Sequence, residues 1–113
     1  MIIFPFGFYV LEGKLPVYLG NDLEAQRAMQ AWLEANPDCV QLRLDVIGPE
    51  QLLTRFLGFD VRGRSAAMDH GPLLFETTCC EKEKITVRRL YHDYDAALRG
   101  HAELIEISRK RLH

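Results

Sequence analysis

The acids and histidines of the C-terminal half are where this sequence could hold a reaction. Glu76 stands in "GPLLFETTCC", His92 in "YHDYD" and His101 in "AALRGHAELIEI". A carboxylate beside an imidazole is a common means of moving a proton near neutral pH. Along "LLFET", strand alternation points Leu74 and Glu76 one way and Phe75 and Thr77 the other. His101 falls between Leu98 and Leu104/Ile105, on the apolar stripe of a helix. A helix laid over the Glu76 side of that strand would pair Glu76 with His101 beneath Gly100. A buried imidazole needs such a bond, because leaving it unmade costs about 1–3 kcal/mol. The pair therefore reads first as a structural contact. Its chemical alternative is a small hydrolase or ligand-binding protein that uses Glu76 and His101 together with His92.

Other constellations are weaker. His70, Glu76, Cys79 or Cys80, His92 and His101 could converge on a metal, but their spacings form no zinc signature, so no metal and no cofactor are expected. Asp69-His70 and His92-Asp93 supply no nucleophile of their own; they read as an exposed loop and a helix cap. Arg62 and Arg64, in a glycine-bearing loop, and Arg88, on a strand, are the side chains that would meet a phosphate or an acidic ligand. The three cysteines, Cys39, Cys79 and Cys80, contain no Cys-x-x-C pair and form no disulfide framework; reduced thiols suit the cytoplasm.

These residues need a scaffold. At 113 residues, 48% hydrophobic and 27% charged, the chain is long enough for one folded domain, 1–113. Its net charge of −2 argues against nucleic acid as a partner. No apolar run approaches the roughly 20 residues of a membrane span. "MIIFPFGFYVL" lacks a basic start and holds Pro5 and Gly7, so it reads as a strand, with "KLPVYL" returning beside it and Pro16 at an edge or bulge.

"NDLEAQRAMQAWLEANPD" is the clearest helix, with Asn21 expected as N-cap, Trp32 on its apolar stripe, and Asn36-Pro37 as its end. "CVQLRLDVI" alternates: Val40, Leu42, Leu44 and Val46 share one face, and Gln41, Arg43 and Asp45 share a wetter one. Residues 50–57 suit helix or strand, and strand is the choice here. "PLLFETTCC" and "ITVRRLY" flank the charged turn "EKEK" as a hairpin. The last helix starts after Asp93 and ends in Arg109, Lys110 and Arg111, where cations meet the negative end of the helix dipole. Gly100 sits within it at a cost of about 1 kcal/mol relative to alanine, which points to close contact with the sheet.

Three blocks carry a resemblance. "FLGFD" (56–60), "GPLLFET" (71–77) and Tyr91 followed by "DAALRGH" (95–101) resemble, in order and spacing, blocks in a group of small uncharacterised proteins of phages, prophages and related bacterial genomes. There the second block is similar to Pro-Leu-Leu-Phe-Glu-Thr, usually followed by Met, and the third to Tyr-Ser-Thr-x-x-Glu-Ala-x-x-Gly-His. Thr78 stands here for the methionine, and His92-Asp93 for Ser-Thr. The likeness spans residues 52–104. It implies an origin rather than a reaction, and it marks Gly71, Phe75, Glu76, Thr77, Gly100 and His101 as matching positions.

The expectation is an α+β protein: a curved antiparallel sheet with two helices on one face, in the order β-β-α-β-β-β-β-α. The expected function is that of a phage- or prophage-type accessory protein. It is not expected to be catalytic, and it binds a ligand or protein, as a homo-oligomer (a dimer first) or with a host or phage partner.

Overall fold

The computed structural model describes residues 2–63 and 71–112. The order of strands and long helices is the expected one: β1 (Ile3–Glu12), β2 (Leu15–Asp22), α1 (Leu23–Ala35), a single turn α2 (Pro37–Val40), β3 (Gln41–Ile47), β4 (Glu50–Phe56), β5 (Phe75–Glu81), β6 (Lys84–Tyr91) and α3 (Tyr94–Arg111). The fold is α+β with antiparallel pairing throughout. The single sheet expected from sequence divides into two, β1-β2 and β3-β4-β5-β6.

Each sheet has its own helix. α1 lays Ala25 and Met29 against Phe8, with Phe4, Phe6 and Phe59 around them. Gly7 lets the Tyr18 ring lie flat on β1, where a Cβ would stand 2.2 Å from Tyr18 Cε1. α3 crosses all four strands of the larger sheet. The two units join where Trp32 of α1 meets Phe56 edge-on at 5.9 Å, on the same side of β4 that α3 covers. Leu11, Phe56, Leu74, Phe75 and Ala97 make the shared core there. The Tyr9 amide also donates to the Gly58 carbonyl at 2.7 Å.

Local chemistry sets the element ends. Asp22, not Asn21, caps α1: its carboxylate accepts from the Ala25 amide at 2.8 Å. Asn21 still belongs to β2 and reaches the Phe4 carbonyl instead. Pro37 opens α2 at a position where the missing N–H is no loss, so Cys39 and Val40 belong to that turn and β3 begins at Gln41. Residues 50–56 are strand, as chosen. The hairpin β5-β6 turns on Lys82 and Glu83 alone, both at positive φ (51° and 67°), which is the geometry of a tight primed turn.

The central strands fix which side of the larger sheet is core. Leu52 and Phe56 of β4, and Phe75 and Cys79 of β5, face α3 and are buried. β3 is an edge strand and follows their register: Asp45 pairs with Leu52, and Leu44 with Leu53. Leu44 and Val46, expected in the core, are thereby turned outward, while Leu42, at a register shift, still packs on the shared core. Leu44 is 41% and Val46 70% exposed, and Asp45 points toward α3.

Candidate functional site

Two largely buried polar clusters lie between α3 and the larger sheet, with Asp45 and Arg111 at their exposed margins. The first centres on His101, which has no solvent exposure. Its Nε2 lies 2.7 Å from Asp45 Oδ2, and its Nδ1 lies 2.7 Å from Thr54 Oγ1. Thr54 Oγ1 lies 2.5 Å from Thr77 Oγ1. One proton arrangement gives every donor an acceptor. Nε2–H donates to Asp45, the Thr54 hydroxyl donates to Nδ1, and the Thr77 hydroxyl donates to Thr54; the tautomer is assigned from these partners. The hydrogen bond from His101 holds the Asp45 carboxyl below the usual range against its partial burial, and Arg43, at 2.8 Å, adds to the effect.

The second cluster lies further along the helix. Glu50 is 7% exposed and accepts from Cys79 Sγ at 2.8 Å and Ser108 Oγ at 2.9 Å. Arg111 stands 3.5 Å from its other oxygen. The Cys79 bond, followed by those of Ser108 and Arg111, lowers the Glu50 pKa despite desolvation. Burial and the Glu50 carboxylate push the Cys79 thiol up, so it is a hydrogen-bond donor here rather than a thiolate nucleophile. Leu104 and Ile105 pack on Leu52 and Cys79 in the same interface.

The expected Glu76–His101 pair does not form. Glu76 lies on the opposite face of β5, where Arg55 and Arg88 hold it. Arg55 Nη2 is 3.3 Å from Glu76 Oε1, and Arg88 Nε donates to Oε2. Thr77 is the β5 residue that faces α3, so the histidine found its partners in Thr54 and Asp45 instead. His92 is exposed and uses Nδ1 on the Pro72 carbonyl at 3.2 Å. Glu76, His92 and His101 are therefore engaged with three different sets of groups.

Arg62 is bound to Asp60, a buried carboxylate that also accepts from the Arg62 and Leu73 amides. Burial alone would raise the Asp60 pKa; these bonds outweigh it and leave the pKa lowered. Asp60 in this way ties the end of "FLGFD" to the start of "PLLFET". Arg64, Asp69 and His70 lie outside the described residues. Among the described residues no three metal-ligating side chains converge.

Asp45, His101 and Thr54 stand in the order acid–imidazole–hydroxyl that acyl transfer uses. The hydroxyl is the wrong one for that chemistry. Thr54 and Thr77 are fully buried and bonded to each other, so no substrate carbonyl can reach either oxygen. The cluster works as a clasp between helix and sheet. Gly100, next to His101, lets the Tyr91 ring press against the helix; a Cβ there would stand 2.1 Å from Tyr91 Oη.

Asp45, Glu50, Thr54, Asp60 and Ser108 hold these bonds without having been expected to. Two of them carried a signal. Thr54 interrupts an otherwise apolar alternation between Leu52 and Phe56, and Ser108 follows His101 by two helical turns on the same stripe.

Among the described residues no further layer packs over the opposite face of the larger sheet. That face presents Leu44, Val46 and Ile85, the last 60% exposed, beside Leu53, Cys80 and Leu90, with the Arg55–Glu76–Arg88 triplet between strands β4 and β6. No helix among the described residues is long and apolar enough to cross a membrane. No family model, curated protein or solved structure matches the chain.

Proposed function

We propose that this chain is a non-catalytic accessory protein of phage type that acts by binding another protein on the open face of its four-stranded sheet. The phage-type origin rests on the resemblance of the three sequence blocks. The binding reading rests on one observation: large apolar side chains, Leu44, Val46 and Ile85, stand exposed on one sheet face while polar side chains are sealed beneath α3 on the other. Leu44 and Val46 on edge strand β3 and Ile85 on edge strand β6 flank Gln51 and Cys80, and exposed apolar side chains set beside charge mark a protein contact. His101, Thr54 and Thr77 are meanwhile fully buried, and Asp45, a third exposed at the sheet edge, is held by His101 and Arg43.

Crosslinking in the cells that carry the protein tests this. A photoreactive amino acid replaces Val46 or Ile85 in one set of variants, and Ala102 or Lys110 on the outer side of α3 in another. The open-face positions should trap one discrete protein, and the helix positions should not. An adduct of twice the chain's mass would identify the partner as a second copy. Absence of a discrete adduct from positions 46 and 85, or the same adduct from 102 and 110, would sink the proposal.

A further inference from the structure

Glu76 is placed oddly for a charged residue. It lies on the uncovered side of the sheet, yet its side chain is only 2% exposed, because Arg55 and Arg88 lie over it from the two neighbouring strands. Those arginines are themselves half-exposed, at 49% and 50%. Each guanidinium has five N–H donors in a planar fork, and Glu76 engages only part of each set. One carboxylate thus fixes two cations and leaves their remaining donors toward solvent. The triplet has a net charge of +1 on a chain whose total is −2. Along β5 from Glu76, Thr78 and Cys80 lead to the row of Val46, Gln51 and Ile85, about 13 Å away at strand spacing.

From this geometry we infer that the open face receives an acidic, amphipathic segment of another protein. Its carboxylate is held between Arg55 and Arg88, and its apolar side chains lie on Leu44, Val46 and Ile85. The inference rests on the binding reading above and names the partner's chemistry. Arginine pairs with carboxylates through two parallel hydrogen bonds, and a guanidinium already held by Glu76 loses less freedom on binding. Electrostatics argues against a second copy on this face, since self-complementary packing sets +1 against +1. It also argues for protein over nucleic acid. None of the residues on this face is aromatic, so bases have nothing to stack on.

Selection of a displayed library of random linear peptides on the intact chain tests the inference. The expected winners combine Asp or Glu with apolar residues. Their binding should fall by roughly tenfold or more in R55A/R88A, the loss of one charge-assisted pair, and should also weaken in V46D/I85D. Should R55A/R88A not fold, R55K/R88K carries the test, because it keeps the charge and removes the planar fork. Purely apolar winners that are lost in V46D/I85D but indifferent to both arginine variants would overturn the acidic partner and leave the binding face standing. Winners insensitive to V46D/I85D, or no winners at all, would overturn both. Arginine-dependent dimerisation in light scattering, or tighter arginine-dependent binding of a labelled single-stranded oligonucleotide, would also overturn the inference.

Discussion

Both faces of the four-stranded sheet mix polar and apolar side chains, and they settle them in different ways. Under α3 lie Asp45, Thr54, Thr77, His101, Glu50 and Ser108, bonded to one another among Leu52, Phe56, Phe75 and Leu104. On the far side, Leu44, Val46 and Ile85 meet water. The covered face shows what burial demands: polar groups are tolerated there because nearly every donor and acceptor is used. The open face shows what remains when no layer has been supplied. Its apolar residues have not been satisfied within the chain, and its one buried charge needed two cations to shield it.

The largest effect is expected at His101 on the covered face. Replacing it with alanine leaves Asp45 and Thr54 without their partner and opens a cavity under α3. A loss of about 3 kcal/mol is expected, read from urea unfolding. A loss below about 1 kcal/mol would mean that the histidine does not clasp the helix.

The next effect in size is at Gly100. Alanine there gains about 1 kcal/mol of helix propensity but drives a methyl group into the Tyr91 ring, so a net loss of about 1–2 kcal/mol is expected. Tyr91 Oη is buried without a hydrogen-bond partner among the described residues. Y91F should therefore cost little alone and should recover part of the G100A loss. A G100A chain more stable than the parent would contradict the close approach.

Acid sharpens the contrast further. The folded-state pKa of Asp45 is lowered, so its contribution is fully present above the unfolded-state value, about 4 for aspartate. That contribution is lost as pH falls through the lower, folded value. The stability gap between the parent and D45N should be constant at neutral pH and close as pH drops below about 4. A gap that widens on acidification would reverse the assignment.

The smallest effect belongs to the open face. V46D/I85D should lower unfolding stability by only about 1 kcal/mol, the strand-propensity cost of the aspartates, since both side chains already stand largely in water. A loss comparable to that of H101A would show that this face is covered after all.

Much of the architecture was legible in the residues. The strand and helix order, the Asp93 cap, the hairpin, and Gly100 as a point of close approach follow from period, cap and turn chemistry, which are local. The burial of His101 was legible too, because helical spacing places it on the apolar stripe. Its partners were not. Choosing Glu76 over Thr77 and Asp45 required knowing which side of β5 the helix covers, and a period of two leaves both sides available. For β3 the alternation itself misled. Leu42, Leu44 and Val46 look like one core face, but only Leu42, at a register shift, packs inward; Leu44 and Val46 take their outward orientation from pairing with β4.

The elements, and the need to bond one buried imidazole, thus come from local pattern, since both depend on residues a few positions apart. Which face is covered emerges only when the strands and helices pack together. That choice is made collectively by Leu52, Phe56, Phe75 and Cys79 on the central strands, whose burial beneath α3 outweighs the exposure of Leu44 and Val46 at the sheet's edge.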